Sequence, residues 1–581
     1  MQGKISMIQE AVLKVLEQHK YIIFFADYKK SSIFAKNLTR RKQKPYTIMN
    51  KKCLYLLLLL CSAATLNITA QNPYLPLWEH IPDGEPYVFE DPDKPGEYRV
   101  YIYGSHDIYR TAYCGPDQVV WSASVNDLTH WRYDGIIFES KKGADGKLLN
   151  ADGAADVLFA PDVAMVKEKD GSKTYYLYPN TQNGGRQTMI AKSKRPDGPF
   201  EVCNWNPEKP HETVGILHFD PGVFVDDDGR VYGYWGFGDS HGAELDPTTM
   251  ATLKKGGQNI ENLIPGYQQD DIFRFFEASS MRKIKDKYVL VYSRFTREGE
   301  FGLPMVNYTL AYAYSDYPLG PFTYGGTLID GRARGKDANG NIIPTANPTG
   351  NTHGSLCEIN GQWYIFYHRQ TGVNEYSRQA MVAPVTVKVQ EGLGGKVEIS
   401  EGEYTSEGFE LNGLQMNKRY PAAIACWLTC PEPTTRDSKG NSIYTGSYVE
   451  ATYLKEIPQG DPYDIKWNCN PVVNNTDGSI VGYKYFNLDG VKGNTARLLL
   501  NMKTTGVKGN VKVMLDNPWE NCGGKCVGEM KISGKSGKAK DFKIELKGLK
   551  GKTGKHALFL VFSSPTKKHS LCTLYSLSLN K

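Results

Sequence analysis

The chain of 581 residues has no two cysteines with two residues between them; the closest pairs, Cys426/Cys430 and Cys522/Cys526, have three. That absence argues against a structural zinc site of the usual spacing. Long apolar runs are missing too: the one from Leu54 to Leu60 is too short to span a bilayer, so no membrane span is expected. Excess charge is largely an illusion. The net charge is +6, but the first 52 residues hold twelve Lys/Arg and three Asp/Glu, which leaves −3 for the remainder. A nearly neutral body is expected to carry no basic stripe, which argues against nucleic acid as a partner. What the chain has instead is aromatic side chains at 12%, 37 tyrosines and 58 glycines, the mixture of short strands and tight turns that marks an all-β protein. Its length suggests two or more domains.

Residues 49–70 pair two lysines with the short apolar run and small residues before a cut after Ala70, the pattern of a secretory signal peptide. A secreted or periplasmic protein is expected, with a lipid anchor at Cys61 as the weaker alternative. Residues 1–48 precede that signal and read as a non-native upstream segment. Removing the leader leaves nine cysteines, so at least one thiol is free; no disulfide is assigned, and a Cys522–Cys526 pair stays open.

Between residues 80 and 390 one pattern recurs five times: a polar residue in a turn, an alternating apolar strand, a second turn, and an aromatic-rich strand. Asp83, Asp162, Asp220, Glu277 and His353 stand at the five starts. DDDGR and EINGQ carry the Asp-Gly and Asn-Gly signals of hairpins, so each unit reads as an antiparallel sheet. Sheets repeating at this spacing fit propeller blades, whose innermost strands converge on one channel and would bring the five residues together. Any one of these acids alone is better read as a turn cap; five in register point to a shared pocket. Glu277 lies between Phe275/Phe276 and Ala278, a setting that would desolvate it and raise its pKa toward that of a proton donor.

These same residues resemble glycoside hydrolase family 43 over about residues 72–390. NPYLPLWEHIPDGEP matches the family's opening turn, DPGVFVDDDG its Asp-Pro motif, and FFEASSMRKIKDKYVLVYS its strand-start glutamate. The resemblance implies a five-bladed propeller with Asp83 as general base, Asp220 as the residue that orients and tunes the acid, and Glu277 as general acid. FAPDV resembles the second-blade signature, implying a structural or substrate-contacting Asp162. THGSL resembles the segment whose histidine holds a calcium or sodium ion through water in some members, and SRQAMVAP one with a substrate-contacting arginine, giving those roles to His353 and Arg378. No cofactor is otherwise implied. Glu85 competes with Asp83 for the base, because the usual Asp-Pro reads Asp83-Gly84-Glu85-Pro86 here.

If Asp83 activates water, the two reacting carboxyl groups should stand about 6.5 to 9.5 Å apart and the product anomer should be inverted. The expected substrate is an oligosaccharide or polysaccharide of plant type, cleaved by an exo-acting α-L-arabinofuranosidase or β-D-xylosidase. Alternatives are an endo-arabinanase, a β-galactan-cleaving enzyme, a retaining invertase-like hydrolase, and a silent glycan-binding propeller. Residues 71–400 are thus read as the propeller, 401–420 as a connection, and 421–581 as a β-sandwich resembling a family 6 carbohydrate-binding module. In the last, Trp467 and Trp519 are candidates for stacking on a sugar ring, the alternative being core or interface residues of a sandwich that buttresses the propeller, and HSLCTLYSLSL lacks the asparagine such modules carry there.

Overall fold

The computed structural model describes residues 71–581 except 110, 347–349, 373, 433, 440 and 455, so the expected leader and upstream segment lie outside the described residues. Residues 71–454 and 468–581 form one compact body. Residues 456–467 belong to a separate body; in it the Trp467 amide bonds the Asp464 carbonyl at 2.9 Å and the Lys466 ammonium lies 4.8 Å from the Trp467 ring centroid.

Five antiparallel sheets follow one another in the first part of the chain, starting with the strands Glu85–Glu90, Asp162–Lys167, Gly222–Val225, Phe275–Ile284 and Leu356–Ile359. Four have four strands in chain order and the fifth has three. The first strands of the second and third, third and fourth, and fifth and first sheets lie against one another, and Tyr87–Asp162 and Ser280–Ser355 hydrogen bonds join the first sheet to the second and the fourth to the fifth, which makes a closed five-bladed propeller. Closure needs a substitute for the missing strand, and residues 72–74 supply it. Asn72 Nδ2 donates to the Val382 carbonyl at 2.7 Å, Val382 N–H donates to Asn72 Oδ1 at 3.0 Å, and Tyr74 N–H donates to the Ala380 carbonyl at 3.2 Å. Apolar faces of successive blades then pack together, as Phe89, Tyr101, Val163 and Leu177 do between the first two. Where inner strands converge there is no room for side chains: a Cβ on Gly222 would stand 2.3 Å from the Ser279 carbonyl oxygen.

The second lobe is a β-sandwich whose two sheets share the strand Thr495–Leu515. Its first half pairs with Lys540–Lys547 and Cys572–Asn580, its second half with Lys525–Lys535 and Lys555–Ser563. The passage from one sheet to the other falls at Gly506, whose φ of 102° lies in the region that favours glycine. Alternation along the strand sends Leu498, Leu500, Met502, Val511 and Val513 inward. That core also takes in Leu77 and Leu414.

The lobes are joined by hydrogen bonds as well as packing. Arg369 donates to the Ala423 and Ala425 carbonyls at 2.7 and 3.0 Å, and Trp519 Nε1 donates to the Lys336 carbonyl at 3.0 Å. Trp519 packs with Trp427, Phe559 and Ile343, so the expectation of a sugar-stacking ring is corrected: this indole is used between the lobes. The nine cysteines from Cys114 to Cys572 are free, Cys522 and Cys526 included.

Candidate active site

Short inner strands preceded by tight turns aim the polar starts of the blades at one end of the channel. Asp83 and Asp220 sit two residues before their strands with φ of 59° and 49°, left-handed conformations that turn each side chain toward the axis. Glu277 is placed differently, inside its strand, where the pairing slips on both sides of it and Ala278 has a φ of 69°. That bulge re-aims the glutamate out of the sheet. The three carboxyl groups line a cavity of about 510 Å³ together with His353, Arg378 and Asn351. Phe219, Phe237 and Phe276 form one wall, with ring centroids 5.0 and 4.9 Å apart in succession, and Phe237 is 55% exposed at its rim.

Asp83 is surrounded by donors. Arg378 Nη1 lies 2.9 and 3.0 Å from its two oxygens, and the Ser105 hydroxyl donates to Oδ2 at 2.6 Å. His368 Nδ1 accepts from the Asp83 amide at 3.2 Å while its Nε2 donates to the Asn351 carbonyl at 2.9 Å, which fixes a neutral ring. Burial opposes protonation of that ring and lowers its pKa to about 3. Burial also raises the Asp83 carboxyl, but Arg378, His353 and Ser105 outweigh it and hold Asp83 below the usual carboxylate range. Arg378 is itself held by Asp107, through Nε at 2.9 Å and Nη2 at 2.8 Å, and lies 4.8 Å under the Tyr113 ring.

Glu277 has almost none of this support. Asn351 Nδ2 reaches its Oε1 at 3.4 Å. Burial and then the charge of Asp220 push its pKa well above the usual value. Asp220 accepts from Asn180 Nδ2 at 2.8 Å and faces His353 Nδ1 at 3.5 Å; burial raises its pKa against the pull of His353. Asn351 touches both sides of the cavity, since its Oδ1 stands 3.4 Å from Arg378 Nη1. One carboxyl is thus set to be ionised and the other protonated at the same pH, which is what proton transfer between two groups and a bound substrate requires.

Two expected residues are placed elsewhere. Asp162 does not line the cavity: its oxygens accept from the Tyr87 hydroxyl and the Val163 and Val223 amides at 2.6, 2.7 and 2.6 Å, and burial raises its pKa to about 7. It ties three blades together, which corrects its assignment to substrate binding. Glu85 is also outside the lining, bonded to Arg282 Nη2 at 2.8 Å and the Ser280 hydroxyl at 3.0 Å, so it does not compete with Asp83.

His353 lines the cavity floor, with Nε2 3.7 Å from Glu85 and Nδ1 toward Asp220. Burial lowers its pKa, but the hydrogen bonds to Asp220 and Glu85 and the nearby negative charge raise it well above the ordinary value. No group of three His, Cys, Asp or Glu suited to holding a metal directly is found among the described residues. Direct ligation of an ion by His353 does not fit these residues, since its two ring nitrogens are turned to Glu85 and Asp220.

Asn351, Asn180, Ser105, Asp107, His368 and the phenylalanine wall were not legible as site residues. Asp107 lies four residues beyond the strand Tyr98–Tyr103 and His368 two residues before the end of the strand Gln362–Gln370, and a polar residue following the aromatic run in YRVYIYGSHD and QWYIFYHR was the available signal.

The glycosyl hydrolases family 43 profile matches residues 89–391. A xylosidase/arabinosidase of Thermoclostridium stercorarium is 33% identical over 77% of this chain and 91% of its own length. An arabinoxylan arabinofuranohydrolase of Paenibacillus polymyxa is 27% identical over 89% of this chain and 78% of its own. Among solved structures, a family 43 arabinoxylan arabinofuranohydrolase of Bacillus subtilis in complex with cellotetraose is 20% identical, with a TM-score of 0.42, covering 89% of this chain and 99% of that one. With the family profile spanning more than half of the chain, this protein belongs to glycoside hydrolase family 43 and is a glycosidase.

Proposed function

We propose that the protein removes terminal α-L-arabinofuranosyl or β-D-xylosyl residues from plant polysaccharides, with inversion, and that it does so beyond the cytoplasmic membrane, as the leader pattern of residues 49–70 supports. The observation that carries the reading is the opposite bias of Asp83 and Glu277 within one cavity. The activities named for the Thermoclostridium and Paenibacillus relatives support the choice of sugars.

In this mechanism Asp83, ionised and fixed by Arg378, takes a proton from water as the water attacks the anomeric carbon. Glu277, protonated in its apolar setting, gives its proton to the leaving oxygen. Asp220 keeps Glu277 protonated through its charge, and His353 keeps Asp220 in place. The aromatic wall offers ring faces for the sugar beyond the scissile bond.

A panel of aryl α-L-arabinofuranosides, β-D-xylosides and β-D-galactosides tests the sugar, and proton NMR in the first minutes tests the stereochemistry. Arabinosyl or xylosyl release with an inverted first-formed anomer is expected. Sustained net retention, trapped with methanol, would transfer Asp83 to the role of nucleophile.

A further inference from the structure

Whole-chain arithmetic conceals a segregation of charge, and it corrects the expectation that the body carries no basic stripe. Residues 71–491 hold 39 Lys/Arg against 55 Asp/Glu, a net of −16, whereas residues 492–581 hold 18 against 5, a net of +13. Those 90 residues are the strands and turns of the sandwich from Thr495 onward.

Strand alternation decides where the charges go. On Lys540–Lys547 the buried positions are Ile544 and Leu546, so Lys543 and Lys547 face solvent; on Lys525–Lys535 they are Val527 and Ile532, so Lys531 and Lys535 do. They flank different halves of the shared strand Thr495–Leu515 and so lie in different sheets, with Lys543 opposite Leu499 and Lys547 opposite Thr495 in one, and Lys531 opposite Asn510 and Lys535 opposite Thr505 in the other. The two rows meet at Gly506, where the shared strand passes between sheets, and there it adds exposed Lys503 and Lys508. The connection between them adds Lys538. The acids do not neutralise this. Asp541 is bonded to Arg419 at 2.6 Å and Asp516 faces Lys552 and His556, while Glu529 and Glu545 stand opposite Lys512 and Arg497 in register. None of Lys503, Lys508, Lys531, Lys535, Lys538, Lys543 and Lys547 has a carboxylate within ion-pair distance among the described residues. Protection of sheet edges explains a lysine or two, not a surplus of this size.

We propose that the lysines gathered at this corner, Lys503, Lys508, Lys535 and Lys538, bind an acidic polysaccharide, a glycan bearing uronic acid carboxylates. The proposal rests on the glycosidase reading for the ligand being a glycan. Charge complementarity selects an anionic one, because residues about 7 Å apart along a strand and 5 Å across it act together within a Debye length of about 8 Å. These strands also present no exposed ring for stacking on bases, Phe542 being half-buried beside Lys540, and no exposed apolar row for entering a lipid surface. A division of labour follows. The basic lobe holds the acidic main chain, and the acidic propeller takes an uncharged terminal sugar into its cavity.

The test is retardation of the full chain on immobilised sodium polygalacturonate, with neutral arabinoxylan, duplex DNA and anionic phospholipid vesicles as separate arms. Retardation that weakens steadily with salt is expected, together with a loss on the order of tenfold or more when Lys503, Lys508, Lys535 and Lys538 are changed together to Glu, and retention when they are changed to Arg. Aryl-glycoside turnover should be the same in all three proteins. No retardation, retardation unchanged by the Glu variant, or tighter binding to DNA or vesicles than to polygalacturonate at equal salt overturns the proposal. If the Glu variant does not fold, the Gln variant and the salt dependence of the native chain decide it. Failure of the native chain to turn over aryl glycosides would count against the proposed function alone.

Discussion

The two sides of the cavity use opposite means to set a carboxyl group. Around Asp83 the blades spend charge and donors, namely Arg378, braced by Asp107, and the Ser105 hydroxyl, while His368 accepts from the Asp83 amide. Around Glu277 they withhold them, leaving phenylalanine, a long contact from Asn351 and the like charge of Asp220. The lesson is that a base is built by adding partners and an acid by removing them, and that both can be done within one cavity.

The largest break in that comparison comes from deleting either function. Asp83→Asn should lower kcat by on the order of 10² to 10⁴ for every substrate, because no leaving group relieves the need to activate water. Glu277→Gln should cost as much for alkyl or sugar leaving groups but much less for activated aryl ones, which need little protonation. Circular dichroism should be unchanged in both, and equal losses on the two substrate kinds in Glu277→Gln would remove it as the acid.

Next in size is the loss of the added partner. Arg378→Met takes away the cation that depresses Asp83, so the Asp83 pKa rises and the acid limb of kcat/KM moves to higher pH, by about 1 to 3 units. An acid limb that stays in place would assign it to another group. The converse concerns Asp220. Asp220→Asn removes a negative charge that raises Glu277, so Glu277 ionises earlier and the alkaline limb moves to lower pH, with poor leaving groups suffering more than activated ones. A shift to higher pH would reverse the assigned sign. The smallest effect is expected away from the cavity: Trp519→Ala removes a hydrogen bond worth about 1 kcal/mol and part of the packing between lobes, lowering the melting temperature slightly while kcat is unchanged.

The fold was legible because a propeller repeats itself in sequence: aromatic strands, Asp-Gly turns and a polar start to each unit recur often enough to be read without a structure. Asp83, Asp220 and Glu277 could be found for the same reason, each being first in its unit. Asp162 is first in its unit too, yet its carboxylate is consumed by two backbone amides and a hydroxyl, and nothing in FAPDV distinguishes an acid facing the cavity from one facing a neighbouring strand. The supporting residues were hidden for the opposite reason. Asn351, His368 and Arg378 come from one blade and Asp107 and Ser105 from another, so their meeting depends on ring closure across nearly 300 positions, which no local pattern records. The charge of the second lobe was hidden by averaging, since +13 and −16 sum to an unremarked −3.

Leu77 lies six residues before Asp83, its side chain in the core of the sandwich and its carbonyl shared by Gln379 of the fifth blade and Asn470 of the sandwich at 2.7 and 3.0 Å, with its amide on Asn468 at 2.6 Å. The peptide that leads into the base is therefore anchored in the lobe that performs no chemistry. Heat resistance of the catalyst is set there: once the sandwich melts, the segment that positions Asp83 is released, and turnover should vanish in the same calorimetric transition even if the blades persist. Engineering for hot processing should begin with the sandwich, and trimming it away to obtain a smaller catalyst should cost the working temperature first.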